Sequence, residues 1–329
     1  MVIVNSNNFR TEYHPKPTSL QINHSDRLFT VGSCFSETIG QRLHNSKFSV
    51  DVNPFGTVYN PMSIFKLLTS CEIDERKLVE VGGQYYHHDF HSKFTARDEE
   101  TLMTLLSLVR NESVEKLKQA SFLFITLGTA YVYELKSTNE IVSNCHKVPQ
   151  REFDKRLLTL DEMSSAFQEF KAKLEAINPD LKIIFTLSPV RHIKDGLVEN
   201  QLSKSILRVC CHEWSKSSSM SYFPSYEMMI DDLRDYRFYK NDMIHPSEMA
   251  EDYLWEKFQL AYFSNQTQIM LTEWDKIRAA LSHRPFNPMS DNHQKFLRNQ
   301  LTKLDIYSEY FDVTEEKNIL EQQLLDLDS

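Results

Sequence analysis

Strand-length apolar stretches recur along this chain, and longer helical patterns separate them. The strongest is "SFLFITLG" (Ser121–Gly128), a nearly unbroken apolar run that ends in glycine. A strand of that kind is buried on both faces, as strands of parallel sheets are. Arg27–Val31, Phe48–Val52, Leu181–Val190 and Met220–Met229 read as four more strands. Helical patterns follow at Phe35–His44, Ser63–Cys71, Glu99–Gln119 with a break near Asn111, Leu160–Glu175, Asn200–Lys216 and Ser247–Phe263. Val132–Ser143 reads as a hairpin or an excursion, Tyr85–Phe94 as extended or irregular, and the stretch from Gln268 as mostly helical and polar. The alternation predicts an α/β fold, a three-layer α/β/α sandwich with a central parallel sheet and a C-terminal helical extension. The expected boundary puts the sandwich in residues 1–265 and the extension in 266–329. In such sheets the ligand lies beyond the carboxyl ends of the strands. The turns there are Gly32-Ser33-Cys34, Asn53–Gly56, Gly128-Thr129 and Ser188–His192.

Composition narrows the function. A net charge of −9 with no long basic run argues against a nucleic-acid surface. No window is long and apolar enough to span a bilayer. "MVIVNSNNFRTEYHPKP" lacks the basic and apolar regions of a secretory signal. Five cysteines without a CxxC pair read as reduced thiols in a cytoplasmic chain, and structural zinc does not suit their spacing.

"LFTVGSCFSETIGQRL" (Leu28–Leu43) places Gly32, Ser33 and Cys34 at a strand-to-helix turn. A thiol in the first turn of a helix meets unpaired N–H groups and the positive end of the dipole. The expectation is a lowered pKa and a nucleophile, provided a base is in reach. A serine N-cap beside a small buried cysteine is the alternative. "NDMIHPS" puts Asp242 three residues before His245, just ahead of a helix opened by Pro246. There the carboxylate can accept from the imidazole Nδ1–H and leave Nε2 free as a base. Gly56, Gly128 and Thr129 sit in turns whose backbone N–H groups could face a developing oxyanion.

A nucleophile after the first strand, glycine turns after the second and third, and Asp-x-x-His near the end resemble the SGNH/GDSL hydrolases. Within them the chain resembles the GSCFA family. The namesake motif stands here as Gly32-Ser33-Cys34-Phe35-Ser36, with Ser36 in place of alanine. "NPFGTVYNP", "LGTAYVYE", "NCHKVP", "LSPVRHIKDGLVENQLSKS" and "NDMIHPS" resemble further blocks, from about Arg27 to Phe258. The resemblance implies ester hydrolysis or acyl transfer without a cofactor. Laid on the superfamily's Gly-Asp-Ser block, Gly32 matches the glycine, Ser33 falls on the aspartate and Cys34 on the serine nucleophile. Asp242 and His245 match the last block. The third block's oxyanion asparagine is missing, since Gly128-Thr129-Ala130 stands there. Thr129, Asn144 and His146 are the candidates to replace it, and Ser33 is the rival nucleophile.

Other groups are weighed on residue type. Arg191 suits a clamp on a substrate carboxylate or phosphate, or an ion pair to a neighbouring acid. His192 follows it. His91, with His87, His88 and Asp89, reads as a polar pocket wall, and no spacing there is diagnostic of a metal. Ile319, Leu320, Leu324 and Leu325 form a stripe suited to packing back on the domain or against a second subunit. The leading reading is therefore a hydrolase or acyltransferase acting on a small or glycan-linked acyl compound through Cys34 or Ser33, His245 and Asp242. The alternative is a ligand-binding protein that keeps the pocket without efficient catalysis.

Overall fold

A computed structural model describes residues 11–70, 72–282 and 290–328, so Cys71 and the first ten residues lie outside the described part. The central sheet holds β1 (Arg27–Gly32), β2 (Ser49–Val52), β5 (Phe122–Leu127), β9 (Lys182–Leu187) and β10 (Met220–Phe223). They run in the order β2-β1-β5-β9-β10, and every pairing is parallel. Leu28 stands opposite Val50 and Phe122, and Phe185 opposite Ile125 and Tyr222.

Alternation along the strands builds two apolar layers. Phe29, Val31, Leu123, Ile125, Ile183 and Phe185 face one side. There they pack with α2 (Pro61–Thr69), α3 (Glu99–Gln119), α4 (Leu160–Ile177) and α5 (Leu197–Trp214). Leu28, Phe122, Phe124 and Ile184 face the other, against α1 (Cys34–Asn45) and α7 (Glu248–Tyr262). This is the expected three-layer arrangement. The chain leaves β1 toward β2 on one side and returns to β5 on the other. The loops after β1 and β5 therefore diverge and open a crevice at the carboxyl edge.

Local chemistry moved several boundaries. Helix α2 starts at Pro61 rather than Ser63, because Asn60 caps it, accepting the Ser63 N–H at 2.9 Å, and Pro61 fits the first helical position. Helix α3 runs unbroken through Asn111. Strand β10 stops at Phe223. Pro224 follows, and Ser225–Glu227 (α6) and Met228–Asp232 coil instead of extending. The 78–87 region forms a hairpin, β3 (Leu78–Val81) and β4 (Gln84–His87), around Gly82-Gly83. The expected hairpin, β6 (Tyr131–Leu135) and β7 (Glu140–Val142), gains an unanticipated third strand, β8 (Phe153–Leu157).

Beyond the sheet lie α8 (Asn265–Ser282), α9 (Asp291–Tyr307) and α10 (Thr314–Asp328). Trp274, Ile277, Leu297, Leu304, Val313 and Leu320 form their own apolar cluster. The Trp274 indole N–H donates to the Asn45 carbonyl at 2.9 Å, Lys47 pairs with Glu316 at 2.8 Å, and Leu271 enters the main core. The tail stripe thus packs back: Leu320 is buried and Leu324 partly so, while Ile319 and Leu325 stay exposed. Among the described residues, no helix is long and apolar enough to cross a membrane.

Candidate active site

Strand β1 passes so close to β5 that a Cβ on residue 32 would stand 2.1 Å from the Thr126 carbonyl oxygen, and Gly32 has φ +135°. Only glycine fits. The chain then turns at once into α1. The Ser33 N–H donates to Thr126 O at 3.1 Å, and the Ser33 carbonyl accepts the Ser36 N–H at 2.9 Å. The Ser33 hydroxyl is buried with no hydrogen-bond partner and makes no cap. Cys34, the first helical residue, is half-buried and opens into a cavity. Burial pushes its thiol up; the N–H groups of Cys34 and Phe35 and the Lys204 ammonium pull it down, and burial prevails. The expected depressed thiol is therefore corrected. The helix terminus acts in the anticipated direction, but desolvation outweighs it.

His245 comes from the loop between β10 and α7. The loop closes on itself: Lys240 N–H donates to His245 O at 2.8 Å, and Ser247 N–H to Phe238 O at 2.7 Å. Inside it, Asp242 Oδ1 accepts the Ile244 and His245 N–H groups at 2.8 and 3.0 Å, and Oδ2 lies 2.7 Å from His245 Nδ1. Those backbone bonds, with the imidazole, hold the Asp242 carboxyl down at about 2. The carboxylate thus fixes the ring with Nε2 outward.

Cys34 and His245 line the same cavity, of about 930 Å³. Thr38, Gln41 and Arg42 extend it along α1, Trp255 lies on α7, and Asp275 and Arg278 of α8 close its far end. The other sequence candidates do not line it. Gly56 N–H donates to Asn53 O at 2.8 Å, and Gly128 and Thr129 N–H groups to Tyr59 O at 2.7 and 3.1 Å. These donors are engaged within the protein. Thr129 Oγ1 lies 3.1 Å from Ser203 Oγ and accepts the Tyr131 N–H. His91 packs its Cβ against Gly56, where an added Cβ would come within 2.3 Å, and its Nδ1 accepts the Lys93 N–H. Asn144 donates to Ser92 Oγ and accepts the His146 N–H. His146 is buried, bonded through Nε2 to the His87 carbonyl and stacked on Tyr86, and burial pushes it down to about 4. Among the described residues, no group of three or more His, Cys, Asp or Glu side chains could hold a metal.

Among the described residues, Arg191 forms no ion pair with an acid. Its guanidinium donates to the Met243 carbonyl and lies 4.1 Å over the Tyr239 ring, so it braces the loop that carries Asp242 and His245. His192 turns to Asp195 at 3.4 Å.

The GSCFA family model matches residues 27–258, most of the chain, with Cys34, Asp242 and His245 inside the match. The chain belongs to the GSCFA family. A second model, "GSCFA domain protein, C-terminal domain", matches residues 274–326 of this GSCFA chain. No curated protein matches it. Among solved structures it is similar to a Clostridium thermocellum family 3 carbohydrate esterase at 8% identity. That match covers 76% of this chain and 98% of the other, with a TM-score of 0.33. A likeness so distant carries no argument about activity.

Three further side chains of this GSCFA chain were not weighed singly in the sequence, Asn53 having been named only as the start of a turn. Lys204 is fully buried on α5 and interacts electrostatically with Cys34. The Tyr59 phenol is pushed up by burial and by Cys34. The Asn53 amide, at the end of β2, is buried with neither its oxygen nor its nitrogen bonded. A lysine within an amphipathic helix and an asparagine before proline look ordinary in sequence, so no signal marked them.

Proposed function

We propose that the chain is a thiol-dependent hydrolase or acyltransferase of the SGNH kind, acting on an ester or acyl-substituted compound, including carbohydrate-linked ones. The observation that carries this reading is the shared cavity: the Cys34 sulfur and an Asp242-oriented His245 both open into it. Cys34 attacks the acyl carbonyl, and its proton passes to His245 Nε2. The tetrahedral intermediate collapses, the leaving group takes that proton, and an acyl-cysteine remains. Water or a second acceptor then attacks with His245 as base. Ser33 is the weaker nucleophile because its hydroxyl is buried away from the cavity. A model thioester or p-nitrophenyl ester tests the scheme. C34A and H245A should abolish turnover while S33A retains it. Turnover of C34A at the wild-type rate sinks the mechanism.

A second reading, a pocket that binds an acylated ligand without turning it over, is favoured by one specific observation. The Gly56 and Gly128 N–H groups are engaged inside the protein, so they do not supply an oxyanion hole in this conformation. Ligand binding by C34A with no turnover by the wild type supports it.

A further inference from the structure

The loop that carries His245 has a second side. Val190 and Lys240 line the cavity that holds Cys34 and His245. Their chain neighbours Arg191 and Tyr239 line another, of about 300 Å³. The 239–246 loop therefore stands between two cavities, and Arg191 is bonded to it twice. Its N–H donates to the Ile244 carbonyl at 3.2 Å, and its guanidinium to the Met243 carbonyl. The wall of the second cavity is largely apolar and aromatic. Leu197, Ile230 and Tyr236 stay exposed there, with Tyr226 beside them. The Arg191 guanidinium carbon lies 4.1 Å from the Tyr239 ring centroid and 5.3 Å from that of Tyr236. The other charges lining this cavity are engaged: Arg234 pairs with Asp231, and Asp235 with Arg237 at 3.1 Å. Among the described residues, Arg191 has no carboxylate, and the Met243 carbonyl is the one acceptor its side chain finds. Its Nε is buried with no hydrogen-bond partner. A guanidinium carries five N–H donors in a planar fork, so the protein leaves most of that fork unfilled.

We propose that this cavity is a second binding site, for a small carboxylate with an apolar body, and that its occupant acts on the 239–246 loop through Arg191. A carboxylate offers two parallel acceptors, which the fork of a guanidinium matches. The apolar body lies against Leu197, Ile230 and the tyrosine rings and leaves water as it does so. Arg191 repels a cation, and Asp235 on the same wall disfavours a second negative charge on the ligand. The carboxylate and the Met243 carbonyl draw on one guanidinium. An occupant therefore changes the bond that holds residue 243, two positions before His245. The site takes no part in the acyl chemistry and does not depend on the reading of Cys34 as nucleophile.

Phenylacetate is the probe, titrated by calorimetry into C34A so that turnover plays no part. It should bind at least about tenfold more tightly than acetate, which lacks the body, and than phenethyl alcohol, which lacks the charge. L197W puts an indole into the cavity from an exposed position and leaves Arg191 untouched. It should abolish binding without lowering the melting temperature. R191M should weaken binding by about tenfold or more, and R191K should recover only part of it, because an ammonium lacks the fork. In amide NMR spectra phenylacetate should shift Met243, Ile244 and His245 in C34A and leave them unmoved in C34A/L197W. Phenylacetate binding no tighter than either control overturns the proposal, as does binding that survives both L197W and R191M. Binding that leaves the three amides unmoved overturns it too. Whether C34A has lost turnover bears on the acyl-transfer reading alone.

Discussion

Cys34 sits where three effects meet: a helix N-terminus and a buried ammonium that favour the thiolate, and a desolvated wall that opposes it. The wall prevails in the resting protein, so in the proposed mechanism the charge develops during the reaction, with His245 taking the proton. Asp242 then matters for geometry. D242N should lower kcat by roughly 10³–10⁴-fold while iodoacetamide still reaches Cys34, because the amide no longer fixes the imidazole tautomer; a loss under tenfold argues against that role. Asp242 has its folded value lowered from an ordinary 3.8 to about 2. Its contribution is present above 3.8 and lost as pH falls through about 2, so it does not explain any loss of activity between pH 5 and 7. Lys204 has the opposite sign. Burial lowers it from 10.5 to about 7. Between those values the unfolded chain binds more protons, so its contribution to stability rises with pH. The unfolding free energy of wild type relative to K204M should accordingly increase from pH 7 to pH 10 in denaturant titrations. G32A should cost about 3 kcal/mol or more in the same assay, since a Cβ there meets the β5 backbone.

Loops at the carboxyl edge owe their shape to partners on other elements. Arg191 follows β9, yet its guanidinium holds the 239–246 loop through the Met243 carbonyl and the Tyr239 ring. R191M should loosen that loop and misplace His245. The expected result is a 10–100-fold fall in kcat/KM with little change in melting temperature, and faster amide exchange confined to residues 239–246. Unchanged exchange there would falsify the bracing role. Similarly, the β3–β4 hairpin and the 144–148 turn are tied by histidine side chains bonded to main-chain carbonyls. None of these histidines lines the cavity.

The C-terminal helices complete the molecule in two ways. They carry a separate apolar cluster, and α8 contributes Asp275 and Arg278 to the far end of the cavity. Trp274 joins the two parts: it is buried in the cluster and bonded to the end of α1. W274A should cost about 3–5 kcal/mol, measured as a lower urea midpoint. A biphasic transition would show that the helices then melt apart from the sheet.

The order of strands and helices was legible because a strand buried on both faces leaves little room for polar residues: "FLFITL" and "KIIFTL" announce themselves. The Gly32-Ser33-Cys34 turn and Asp-x-x-His were legible because each is a local chemical unit. The "FDKRL" strand was not, since three charges in a row mask its alternation, and Lys155 and Arg156 find their partners, Asp195, Glu134 and Glu162, only in the fold; the Gly82-Gly83 turn signal also went unread. Nor were the true partners of Gly128 and Arg191, whose bonds reach across the chain. Lys204 makes the division clearest. Residue order sets which side chains occupy one face of α5, because helical periodicity is local. Whether the lysine on that face meets water or the Ser188 carbonyl depends on how α5 packs against the sheet, and that is a long-range balance of burial and charge that only the folded molecule resolves.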